Sequence, residues 1–110
     1  MLISPEFFGV NYQELSNLFD KNKIHGVQIL FNKLETEVTI YFDYTGGNGD
    51  AVEALRTGLA GLCLRCDVSP NAVKLVSTIL FGQRITVPKT AVPFEDFAEI
   101  TSTSSVSPNF

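Results

Sequence analysis

Tryptophan is missing from this 110-residue chain, histidine and methionine occur once each, and cysteine occurs only twice. No spacing argument places a Ser-His-Asp set around the lone His25, and a single histidine leaves general acid–base chemistry chiefly to carboxylates or thiols. The chain therefore does not read as an enzyme, and it calls for no cofactor. Two cysteines do not make a secreted disulfide framework, and Met1-Leu2-Ile3-Ser4-Pro5 has neither the basic start nor the apolar run of a signal peptide. A cytoplasmic, reducing setting is the expectation. No apolar run approaches the roughly 18 residues needed to cross a bilayer, so no membrane association is expected.

Charge is sparse as well. Eight Lys and Arg face twelve Asp and Glu, giving a net charge of −4. The basic residues are scattered, and only Lys21 and Lys23 come close together, beside Asp20. Nucleic-acid affinity rests on clustered cations that release counterions, so nucleic acid is not an expected partner.

What the chain has is apolar and aromatic surface, including nine phenylalanines, at a length suited to one core. Residues 1–100 read as a single α+β domain and 101–110 as a Ser/Thr-rich tail, in which Val106 and Phe110 could anchor an extended segment on a sheet edge. The centre is the stretch from Glu37 to Cys66. Val38, Ile40, Phe42 and Tyr44 alternate with polar positions, the period of a half-buried strand. Thr45-Gly46-Gly47-Asn48-Gly49 ends that strand, and Asp50 with Glu53 has the spacing of a capping box. Apolar residues at 52, 55, 59, 62, 63 and 66 then mark one face of a helix.

Before this centre, Ser4-Pro5-Glu6 suits a single helical turn, weakened by Gly9. Asn11 and Glu14 frame a capping box for a helix over 12–21, and Val27–Phe31 reads as a strand in a hairpin with 38–44. Leu30 breaks the alternation of that strand, which favours a third strand beside it. After the centre, Ser69-Pro70 opens a predicted helix whose apolar positions from Ala72 to Phe81 run nearly all round. Arg84–Val87 reads as a short edge strand, and 93–100 as one or two helical turns with Phe94 and Phe97 inward. The expected architecture is a small antiparallel sheet, a two-strand hairpin plus a short edge strand, with helices on one face in the order α-β-β-α-α-β.

Three sites compete. Gly46, Gly47, Asn48 and Gly49 stand at a strand-to-helix junction, where backbone N–H groups can hold a small anionic ligand or nucleotide. The stretch lacks a P-loop ending and a GxGxxG spacing, and Asp50 would repel an anion. Cys63 and Cys66 match CxxC, a thiol or zinc signature, yet they sit at a helix C-terminus and continue its core stripe. A zinc site would need His25 and Asp67 or a second chain to complete it. Glu95, Asp96 and Glu99 read as a solvated acidic cluster.

The third site is a surface. Ala54, Gly58 and Gly61 line one flank of the long helix, and glycine inside a helix costs about 1 kcal/mol against alanine, so close backbone approach is the physical reason to keep it. Either the following helix of the same chain packs there, or a second copy does. Together with Val73, Val76 and Leu80 on the predicted apolar helix, this flank points to a homo-oligomer. The function expected is a non-catalytic protein–protein interaction module, a regulator, adaptor or inhibitor that works with a protein partner.

Overall fold

A computed structural model of the chain describes residues 3–44, 49–80 and 82–100. The elements are α1 (Pro5–Val10), α2 (Tyr12–Lys21), β1 (Ile24–Phe31), β2 (Val38–Tyr44), α3 (Gly49–Arg65), a 3-10 turn (Pro70–Ala72), β3 (Val73–Ser77), β4 (Ile79–Leu80), β5 (Gln83–Arg84), β6 (Val92–Pro93) and a second 3-10 turn (Phe94–Phe97). The class is α+β.

Among the described residues the main sheet has four strands in the order β3-β2-β1-β6. β1 runs antiparallel to β2 with Ile29 opposite Ile40 and Phe31 opposite Val38, so side chains of the same face meet across the hairpin. The expected third strand beside β1 is β6, two residues that pair antiparallel at Gln28 and Ile29. On the far side, β3 joins β2 in parallel, with Val38 opposite Val73 and Ile40 opposite Leu75.

This parallel strand corrects two expectations: the sheet is mixed, not antiparallel, and residues 73–77 form a strand where a buried helix was expected. Ser69 does cap, its hydroxyl accepting from the Asn71 N–H, but the helix it opens stops after one turn. Val73, Val76, Thr78 and Ile79 are β-branched and favour extended chain, and within V-K-L-V-S the alternate residues Val73 and Leu75 pair with Val38 and Ile40 on the inner face of β2. A third correction concerns 84–87. Only Arg84 there is strand, and β5 pairs with β4 in a separate two-stranded ribbon.

Two caps also differ. Asn11 makes no cap to α2; its side-chain amide donates back to the Phe7 carbonyl at 2.8 Å, closing α1. Asp50 lies within the first turn of α3, which begins at Gly49.

Val27, Ile29, Val38, Ile40 and Phe42 turn to the helices and are buried with Leu15 and Phe19 of α2 and with Leu55, Leu59, Leu62 and Cys63 of α3. Each of these Val, Ile, Leu and Phe side chains contributes about 1.5–3 kcal/mol when fully removed from water. Phenylalanines close the end of the core beside β6. Phe94 stacks on Tyr12 at 4.5 Å and meets Phe19 edge-on, while Phe97 contacts Phe8 and Phe31. Both Phe94 and Phe97 are buried, as their spacing suggests. Leu30, Tyr41 and Val76 are half-buried and stand apart from this core cluster, on the other face of the sheet. Among the described residues no helix is long and apolar enough to cross a membrane.

Candidate functional site

The two flanks of α3 have different fates. On one, Gly58 meets α2: a Cβ built there would lie 2.5 Å from Leu18 Cδ2, so the absent side chain is what lets the two helices close. The Arg65–Glu14 ion pair joins the same two helices. A contact within the chain thus accounts for Gly58, but it is made with the preceding helix and not with the expected following one, whose residues 73–77 form β3. Ala54 and Gly61 stay exposed on this side, and a Cβ on Gly61 would meet nothing within 4 Å.

The opposite flank is open. Arg56, Leu59, Ala60 and Cys63, spaced by three and four, form one wall of a cleft of about 310 Å³ whose other wall is Pro70, Asn71, Val73 and Leu75. The walls come from α3 and from the strand that follows it, because the crossover from β2 through α3 returns the chain beside β2. The lining is mainly apolar, and among the described residues the Arg56 guanidinium is its one charged group. That guanidinium also meets Glu53 at 3.4 Å, one turn back along the same helix.

The cleft borders an unpaired strand edge, since among the described residues β3 pairs only with β2. Thr78 N–H donates to the Phe42 carbonyl at 2.8 Å, which fixes the phase of the parallel ladder. Lys74 and Val76 turn their backbone toward β2, while Leu75 and Ser77 present N–H and C=O to the free edge. Val73 presents its C=O there, its N–H being bonded to the Pro70 carbonyl. Lys74, on the outer face, is held by Glu37 at 3.3 Å.

Of the interface residues expected from sequence, only Val73 belongs to this cleft. Val76 faces the other side of the sheet, and Leu80 lies in β4, beyond the end of β3. Arg56, Ala60 and Leu75 were missed. The core stripe identifies only the buried face of a helix, and no local pattern reveals that 56–63 and 70–75 will face each other.

Cys63 is the fully buried member of the α3 wall, and burial, with Cys66 nearby, pushes its thiol above the ordinary range. Cys66 is half-buried, with its sulfur 3.8 Å from Asn11 Oδ1. Both are free thiols, and among the described residues no group of three or more His, Cys, Asp and Glu could hold a metal. Gly46, Gly47 and Asn48 lie outside the described residues, as does the tail with Val106 and Phe110; Gly49 opens α3.

A polar cluster that the sequence did not flag surrounds Asp43. Its carboxylate accepts from the Thr78 hydroxyl and, at 3.1 Å, from Arg84, so the β4–β5 ribbon is tied to β2. The Thr78 hydrogen bond chiefly lowers the Asp43 carboxyl below its ordinary value, against the effect of desolvation; Arg84 and then His25 add to the lowering. His25 sits opposite Asp43 in the ladder and is exposed. Against protein-family models, curated proteins and solved structures, the chain finds no match in any of the three.

Proposed function

We propose that this chain is a non-catalytic protein–protein interaction module that takes an extended segment of its partner along the outer edge of β3, over the cleft beside α3. The observation that carries the reading is the adjacency of an unpaired strand edge and an apolar cleft. Main-chain groups of Leu75 and Ser77 would supply hydrogen bonds that any sequence can satisfy, and the cleft would choose among side chains. An edge strand normally carries protection against such pairing, but β3 has no proline or bulge, and its one charge, Lys74, is engaged by Glu37. Acting in this way the chain would serve as an adaptor, regulator or inhibitor. A cytoplasmic, reducing setting belongs to the same reading, and it would keep Cys63 and Cys66 as thiols.

The test is a library of extended peptides selected on the isotope-labelled chain, followed by amide shift mapping. Perturbations centred on residues 73–77 and on 56–63, lost in Ala60→Phe, support strand addition. A selected set that perturbs only the Asp43–Arg84 region, or that tolerates Ala60→Phe unchanged, removes it.

A further inference from the structure

We infer that the strand received at this edge is β3 of a second copy, paired antiparallel about a two-fold axis through Leu75; the inference rests on the strand-addition reading. Leu75 is the residue whose N–H and C=O both point outward at the middle of the strand, so two copies would exchange both bonds there. The same register sets the Ser77 N–H against the partner copy's Val73 carbonyl, twice by symmetry, for about four hydrogen bonds in all. On the outer face it sets Lys74 against Val76, so no charge faces its like.

The helices agree with this register. A crossover helix lies over the two strands it joins, about half a strand spacing inboard of β3, and the axis would lie half a spacing outboard. The two copies of α3 are then about two strand spacings apart, ~10 Å, which is the ordinary interaxial distance of packed helices. Ala60 keeps that gap clear of bulk.

Charge completes the argument. Arg56 and Glu53 lie side by side on the flank that would face the axis, and a surface carrying both signs is complementary to itself under a two-fold rotation. Each guanidinium would meet the other copy's Glu53 carboxylate.

Sedimentation equilibrium on the full chain tests this, with a dimer expected at twice the 12.1 kDa chain mass. Both charged side chains are more than half exposed, so exchanging them leaves the fold intact, which circular dichroism checks. Arg56→Glu and Glu53→Arg should each weaken the dimer at least ten-fold, and an equimolar mixture of the two variants should recover it as a heterodimer. Leu75→Lys should give a monomer. A synthetic peptide spanning residues 71–79 should compete with dimerisation. A wild-type chain that stays monomeric at high micromolar concentration overturns the inference, as does a dimer indifferent to all three substitutions. Such a monomer that still binds selected peptides along residues 73–77 leaves the strand-addition reading standing; one that binds none removes both.

Discussion

Thr78, buried between β3 and β4, donates its hydroxyl to Asp43, 35 residues earlier in the chain, and its N–H to the carbonyl of Phe42 beside it. One side chain thus fastens the small β4–β5 ribbon to the end of the main sheet, with Arg84 completing the clasp from β5. The clasp depends on charge. Asp43 has a depressed folded pKa, so its contribution to stability is complete above the unfolded value of about 3.9 and is lost as pH falls through the folded value. Urea denaturation between pH 3 and pH 7 should show Thr78→Val costing about 1–2 kcal/mol at neutral pH. Asp43→Asn should flatten the loss of stability below about pH 4.

Gly26 takes part in the same corner. It has φ of +58°, lies where the β1–β2 register shifts, and a Cβ on it would stand 2.9 Å from Asp43 Oδ2. Gly26→Ala should therefore destabilise by about 1–2 kcal/mol through the left-handed backbone alone, and more if the carboxylate is displaced. Pairing it with Asp43→Ser in a double-mutant cycle separates the two parts, since only the second is relieved.

Gly58 and Gly61, the glycines inside α3 beyond its first residue, should respond in opposite directions. Gly61→Ala adds a methyl group in open space and should raise stability by about 0.5–1 kcal/mol. Gly58→Leu forces Leu18 aside and should lower it by about 1–3 kcal/mol. Thermal denaturation decides, and Gly58→Leu combined with Leu18→Ala should recover part of the loss.

The cysteines should differ in access. Iodoacetamide followed by mass spectrometry should find Cys66 alkylated first in the native chain, with Cys63 protected until unfolding, because Cys63 is buried and its thiolate is disfavoured. Cys63→Ala should cost about 1 kcal/mol by the cavity it leaves. Equal rates at both positions would contradict the packing described for α3.

Periodicity made most of the core legible. The stripe through Leu55, Leu59 and Leu62, the alternation through Val38, Ile40 and Phe42, and the inward Phe94 and Phe97 all follow from local spacing, and the structure places each of them inside. Residues 73–77 were not legible in this way. Their apolar run fits a buried helix and a parallel strand equally, and the choice is made by β2, which lies some thirty residues earlier along the chain. β6 escaped for a different reason: two residues, one of them proline, carry no period at all. The cleft could not be read locally either, since its walls are each unremarkable and only the crossover brings Arg56 and Ala60 opposite Leu75.

Pro93 has a consequence for how large any assembly can become. It forms half of β6, the strand at the opposite edge from β3, and it has no N–H to offer a neighbour. Among the described residues the main sheet therefore has one edge open to extension, that of β3. A filament needs two compatible ends on every subunit, one to receive and one to be received. Here a β3-to-β3 contact would consume the single receptive end of both participants and leave proline-blunted strands facing outward, so growth would terminate at a pair instead of propagating as a fibre.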